Sequence, residues 1–319
     1  MADEPYRDEQ LILAARLYYI DGLVQAEVAR MVNVSQAKVS RMLALARERG
    51  IVRIIVPDYD PRHRDLEERL ERELKLTLAV VIKADAGVTV TDLRRTVAYF
   101  AAPPVSELFQ SARVIAIAGG RTLQELVSRL KPSGRPGLLT VIQAMGNIDS
   151  QVGPYDAVEL GRTIAQQWGG TLLTLNTPAI LPDPTTRDQF QALESVRSVK
   201  EELHRTDLAL VGVGTLKNSV FVDRGSLGPD DYALLAQRGA VGELCGRFIT
   251  AEGEECQTPF RDRVVGIDLD DLRKARQVVA VVAGSDRREA IRAAVRGGLI
   301  KALVIDQGGA EALLAPDPV

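Results

Sequence analysis

From Leu78 onward the chain alternates short β-branched apolar runs with longer helical stretches, and few folds accept that pattern. The runs are Leu78–Ile82, Val114–Ala118, Leu138–Ala144, Thr171–Leu175, Leu208–Val213, Val278–Ala283 and Ala302–Ile305. Between them lie Thr91–Phe100, Leu123–Leu130, Ala157–Gln167, Arg187–Leu203 and Arg287–Arg296, which have helical spacing. Such alternation predicts a parallel sheet covered on both faces, a doubly wound α/β domain. Ligands of these sheets bind beyond the carboxyl ends of the strands, so the residues just after each run are the candidates for a site.

The first 57 residues follow a different period. Asp8–Ile20 reads as a helix with Leu11, Ala14, Ala15 and Tyr18 on one face, and acidic residues at its start suit the helix dipole. A short helix over Glu27–Val32 is followed by the turn Asn33-Val34-Ser35 and a second helix from Gln36 to about Arg49. Ala29, Val34, Val39, Leu43 and Ala46 fall at spacings that bury one face of this pair. Ser35 is a good N-cap, and Gln36, Lys38, Ser40 and Arg41 point away from the buried face. This is the pattern of a helix-turn-helix with a polar, basic reading face. Gly50 ends the second helix, and the apolar Ile51–Val56 predicts a short wing strand. The plainer reading is a helix pair inside some larger helical fold; turn, cap and exposed polar residues agree better with DNA binding.

Charge supports this locally. The chain carries 40 basic and 43 acidic residues, a net charge of −3. Within residues 35–56, however, Lys38, Arg41, Arg47, Arg49 and Arg53 face only Glu48. A small basic module on an acidic body fits a protein that touches double-stranded DNA at one end. At 319 residues more than one domain is expected. No apolar run reaches membrane-spanning length and the N-terminus is acidic, which points to the cytoplasm. Cys245 and Cys256 lack metal-ligand spacing and read as free thiols; His63 and His204 read as surface residues. No metal and no cofactor is expected.

Between the two periods, Arg62–Leu76 is a charged helix with Leu66, Leu70 and Leu74 in a narrow stripe. It reads either as a linker helix packing on its own domain or as a dimer seam that spaces two DNA-binding heads. The expected organisation is therefore a winged helix-turn-helix over 1–57, a linker helix over 58–77 and an effector domain over 78–319.

The strand ends supply candidate ligand contacts. Gly119-Gly120-Arg121-Thr122 opens a helix: the glycines admit close backbone approach, Thr122 offers a hydroxyl and Arg121 a charged fork, an arrangement suited to phosphate. A tight strand-to-helix turn explains the glycines equally well. It is neither a Walker loop nor the dinucleotide fingerprint, which counts against a cofactor-binding oxidoreductase. Gly284-Ser285-Asp286-Arg287-Arg288 opens another helix and offers a second anion contact, unless its arginines pair with nearby carboxylates. Asn176, Gly212 and Gly214 lie at further strand ends. Glu243, in Gly239-Ala240-Val241-Gly242-Glu243, is a candidate acceptor for sugar hydroxyls or, more plainly, a helix N-terminal acid.

Together these features resemble the SorC/DeoR-type bacterial transcriptional regulators that carry a sugar-binding domain. The resemblance covers nearly the whole chain. It rests on Val39-Ser40-Arg41, Ala46-Arg47 and Gly50-Ile51-Val52 in the N-terminal part. In the C-terminal part it rests on Gly120-Arg121-Thr122, Gly239–Glu243 with Gly246-Arg247-Phe248, and Ala283-Gly284 with Ala290-Ile291. It implies an effector domain like that of phosphosugar isomerases and deaminases, self-association as dimers or tetramers, and phosphorylated sugars as effectors. Carried over, Gly119–Thr122 would hold a phosphate and Glu243 would face the sugar. The chain departs from the family at Arg287, where lysine is common, and at Ile305-Asp306-Gln307, where the family often has Thr-Asp-Glu. It also has no lysine in Leu138–Gly146, which disfavours a Schiff base with the sugar. The competing reading, an active sugar-phosphate isomerase or deaminase, needs a placed acid and base. Gly212-Val213-Gly214 is followed by Thr215–Ser219 with no histidine, so an enzyme is disfavoured, although Glu243 and Asp223 remain candidate bases.

Overall fold

The structure, a computed structural model, describes residues 6–85, 87–132 and 139–316. It divides into two compact units, residues 1–59 and 60–319.

The first unit is helical. Helix α1 (Asp8–Ala15) runs on through a π-helical turn, Arg16–Ile20, to α2 (Gln25–Met31) and α3 (Gln36–Glu48). Its core is Leu11, Ala14, Ala15, Leu17, Val28, Ala29, Val39, Met42, Leu43 and Ala46. The turn between α2 and α3 closes because Asn33 adopts a left-handed conformation (φ 51°), which asparagine tolerates better than most residues. Ser35 then caps α3, its hydroxyl accepting from the Lys38 amide at 3.3 Å. Arg49 ties the end of α3 to the start of α1, its Nη1 lying 2.7 Å from Asp8 Oδ1. One expectation fails here: Ile51–Val56 forms no strand and runs as irregular backbone, with Ile54, Ile55 and Val56 exposed. This apolar run has no ladder partner among the described residues of the unit, and a strand cannot satisfy its backbone alone.

In the second unit the sheet is parallel. Chain order gives α4 (Arg64–Leu74), β1 (Leu78–Ile82), α5 (Val90–Phe109), β2 (Val114–Ile117) and α6 (Arg121–Val127). Then come β3 (Thr140–Gln143), α7 (Ala157–Trp168), β4 (Thr171–Leu173), α8 (Pro184–Ala192), α9 (Glu194–Leu203) and β5 (Leu208–Val211). After α10 (Val220–Arg224) and α11 (Pro229–Gln237), β6 (Ala240–Leu244) and β7 (Arg247–Thr250) form a hairpin. The chain closes with α12 (Leu269–Lys274), β8 (Gln277–Val281), α13 (Arg288–Arg296), β9 (Ala302–Asp306) and α14 (Gln307–Leu314).

Among the described residues the sheet has seven strands in the order β1-β9-β8-β5-β2-β3-β4, every pairing parallel. All seven strands coincide with the expected apolar runs, Leu138 lying outside the described residues. In β1, β5, β8 and β9 successive residues point to opposite faces and yet are buried, so helices cover both sides. From β2 the order proceeds to β3 and β4 on one side, and to β5, β8 and β9 on the other. The topological switch point thus falls between β2 and β5.

Several helices differ from expectation. Helix α5 continues past Phe100 to Phe109 through Pro103 and Pro104, because Ala101, Ala102, Val105 and Phe109 are buried and their packing outweighs the missing backbone donors. The expected helix Arg187–Leu203 breaks into α8 and α9 at Leu193, whose backbone is extended. Leu66 and Leu70 of α4 enter the core of the sheet unit, so α4 belongs to that unit and these two leucines are unavailable as a seam. No described helix is long and apolar enough to cross a membrane.

Candidate functional site

The N-terminal unit presents one polar surface. Gln36, Lys38, Ser40 and Arg41 are all exposed, at the first half of α3, and Ser35 caps that end. Three- and four-residue spacing places them in adjacent rows, while Val39, Met42 and Leu43 between them are buried. A helix presented this way has the geometry that enters a major groove with its N-terminal side chains on base edges.

The sheet unit contains a cleft at the switch point. The turn after β2 supplies Gly119, Gly120, Arg121 and Thr122 to its wall, and the segment after β5 supplies Gly212, Val213 and Gly214. Glu243 comes from the hairpin, Arg287 from the segment after β8, and Arg94 from α5. Gly120 has φ 152°, a conformation L-residues rarely adopt, and donates its amide to Tyr155 O at 2.8 Å. A Cβ on Gly119 would stand 3.0 Å from the Tyr155 carbonyl oxygen. The two glycines are therefore required by the turn itself, whatever binds beside it.

Side chains around the cleft form one continuous network. Arg121 Nη2 lies 2.9 Å from Asp223 Oδ2 and donates to Asn218 Oδ1 at 3.2 Å. Asn218 donates in turn to Asp286 Oδ2 at 2.8 Å. Arg287, itself buried, donates to Asp286 Oδ1 at 2.7 Å and to the carbonyls of Val213 and Ala283 at 3.0 Å. The network joins segments that follow β2, β5 and β8. Its arginines have carboxylate partners, as the plainer sequence reading allowed.

Glu243 lines the cleft, and of its two sequence readings the helix N-terminal acid is the one that fails. It lies in β6 with 5% exposure, not at a helix start. Its backbone pairs with Gly214 in both directions, at 2.9 and 3.0 Å. Burial raises its carboxyl pKa to about 7, against a single offsetting donor, the Gly246 amide at 2.5 Å. The hairpin turns through Cys245 (φ 51°) and Gly246 (φ 85°), which matches a two-residue primed turn. The sequence reading missed this hairpin; its signal was the Cys245-Gly246 pair between two apolar runs.

Two expected site residues fall elsewhere. Asn176, in the loop after β4, is exposed, accepts from Thr174 Oγ1 at 3.1 Å and does not line the cleft. Gly284 does not line it either, and its amide is taken by Asp306 Oδ1 at 2.5 Å. Asp306 also caps α14 by accepting from Gly309, so it serves the fold. Neither histidine lines the cleft: His63 precedes α4, and His204 Nδ1 lies 2.9 Å from Asp271 Oδ1. Arg94 was missed by the sequence reading, since one arginine of the Arg94-Arg95 pair carries no motif.

The model of a sugar-binding domain family, Sugar-bind, matches residues 61–315. The deoxyribonucleoside regulator of Bacillus subtilis (strain 168) is 30% identical over 309 residues, covering 95% of this chain and 96% of its own. This chain belongs to the SorC/DeoR-type family of sugar-binding transcriptional regulators. The sorbitol operon regulator of Klebsiella pneumoniae is 26% identical over 310 residues, 95% of this chain and 97% of that protein. Among solved structures, a DeoR family transcriptional regulator from Listeria monocytogenes superposes with a TM-score of 0.72 at 26% identity. It covers 79% of this chain and 99% of its own. Full-length SorC from Klebsiella pneumoniae gives 0.72 at 24% identity over 97% of this chain and 100% of that one, which supports the same fold from end to end. SorC/DeoR-type membership agrees with a parallel α/β sheet unit preceded by a helix-turn-helix.

Proposed function

We propose that this protein is an operator-binding transcriptional regulator whose hold on DNA is set by a phosphorylated sugar in the switch-point cleft. The observation that carries the reading is the cleft itself. Guanidiniums surround a glycine turn there, and a buried carboxyl lies on the same wall. Guanidinium forks suit a phosphate, and a carboxyl can accept from a sugar hydroxyl. In this reading Gly119, Gly120, Arg121, Thr122 and Arg287 hold the phosphate end. Glu243, Gly212 and Gly214 face the sugar. The names of the relatives, a deoxyribonucleoside regulator and a sorbitol operon regulator, support a sugar-derived effector.

Control requires the effector to bind two conformations unequally; equal binding shifts nothing. The Arg121–Asn218–Asp286–Arg287 network supplies a means. A phosphate that draws on Arg121 and Arg287 competes with Asp223 and Asp286, and so acts on three loops at once. In the N-terminal unit Ser35, Gln36, Lys38, Ser40 and Arg41 contact base edges and flanking phosphates of operator DNA. Self-association as a dimer or tetramer would place two such helices on one operator.

Site selection from a random DNA pool by the purified protein, with and without a mixture of sugar phosphates, tests this. A two-fold-symmetric consensus whose recovery changes with the mixture is the expected outcome. Selection that ignores every sugar phosphate would refute effector control. A second reading, catalysis on the sugar phosphate, is favoured only by the raised pKa of Glu243. A coupled assay with turnover lost in Glu243→Gln would establish it.

A further inference from the structure

Arg94 stands apart from the other charges of the cleft. It projects from α5, whose sequence shows no ligand motif, and it lines the cleft with Arg121 and Arg287. Arg121 is engaged by Asp223 and Asn218, and Arg287 by Asp286 and two carbonyls. Arg94 makes no hydrogen bond or ion pair among the described residues, although it is half-buried. Its neighbour Arg95 shows the ordinary alternative: it points to the surface, 3.2 Å from Asp92 and 3.6 Å from Glu125. Burial, followed by repulsion from Arg121 and Arg287, holds the Arg94 guanidinium below its usual pKa, and Asp223 and Asp286 only partly offset this.

The cost of this arrangement identifies what completes it. Three guanidiniums share a partly desolvated cleft, and Asp223 and Asp286, the carboxylates that act on Arg94, are already engaged by Arg121 and Arg287. A half-buried cation with no partner is unfavourable, and an anion is the direct remedy. A phosphate monoester carries close to two charges at neutral pH and three acceptor oxygens, enough to bridge two forks. A neutral sugar brings no charge to offset Arg94, and a carboxylate brings one where the ester brings close to two.

We infer that Arg94 is the residue that makes the cleft specific for a dianionic phosphate ester, clamping the phosphate against Arg121. The inference rests on the reading of the cleft as an effector site, and it assigns the discrimination to α5. The glycine turn, whose Gly120 amide is already bound to Tyr155, plays the lesser part.

The test uses the full chain and calorimetric titration with inorganic phosphate, with ribose 5-phosphate as a representative ester, and with free ribose. Wild type is expected to bind both phosphate compounds and not ribose. Arg94→Gln should weaken both at least about tenfold, the scale of one charge-assisted hydrogen-bond set. Arg94→Lys should recover part of the loss, since charge returns without the fork. Arg95→Gln should match wild type, and circular dichroism and melting temperature should show all variants folded. Wild-type binding retained in folded Arg94→Gln but lost in Arg121→Gln would overturn the inference and leave the effector reading standing. No phosphate compound binding to wild type would overturn both.

Discussion

Arg121, the first residue of α6, holds Asp223 of α10 at 2.9 Å across the switch point between β2 and β5. Both side chains are partly accessible, so the pair is open to competition by an incoming anion. Exposed pairs of this kind contribute only about 1 kcal/mol, far less than a bidentate phosphate contact can offer.

Replacing either partner should therefore move phosphate affinity in opposite directions. Arg121→Gln is expected to weaken a sugar phosphate at least about tenfold. Asp223→Asn should strengthen inorganic phosphate, because the competing carboxylate is gone. Titration calorimetry on both variants checks the signs; equal effects would show that the pair is structural only.

Glu243 makes stability depend on pH. Its carboxyl has an ordinary pKa of 4.5 and is raised by burial to about 7 in the folded chain. The folded state thus holds a proton that the unfolded state releases. The contribution is complete below pH 4.5 and is lost as pH rises towards 7, amounting to about 3 kcal/mol. Glu243→Gln should remove this slope and leave the variant more stable than wild type at pH 8. Chemical denaturation at several pH values reads it directly.

The α3 surface should act without the cleft. Arg41→Ala and Lys38→Ala are expected to weaken operator binding and, for a phosphate contact, to lower the slope of log affinity against log salt by about 1. Sugar-phosphate affinity in the same variants should stay at the wild-type value. Unchanged operator affinity in Arg41→Ala would remove α3 as the reading helix.

Leu70 reports on the helix between the two periods. It is fully buried in the core of the sheet unit. Leu70→Ala should cost about 2–5 kcal/mol and lower the melting temperature of the sheet unit, measured by calorimetry. A solvated linker would lose almost nothing.

Much of this architecture is legible in the sequence. Seven apolar runs became seven parallel strands because a strand buried on both faces must be apolar throughout. The helix-turn-helix was legible because a cap, a turn and a 3.6-residue period each leave a local mark. The Gly119–Thr122 turn and Arg287 stand out in the sequence because they follow apolar strands, and both line the cleft. The failures share a cause as well. Ile51–Val56 has strand composition but no ladder partner among the described residues, and composition does not record whether a partner exists. The helix-start alternative for Glu243 stays open in the sequence because nothing in its own neighbourhood records the Gly214 backbone that pairs with it.

The sequence alone determined the elements: the strands, the capped recognition helix, the glycine turns and the local basic charge. These depend on residues close together in the chain, where periodicity and backbone preference act. Tertiary structure alone decided which charges meet. It set Arg94, Arg121 and Arg287 around one cleft, gave partners to two of them and left the third without one among the described residues. It also drew Asn176 and Gly284 away from that cleft. Electrostatic interaction depends on separation in space and on burial, and residues on different elements carry no local sign of either.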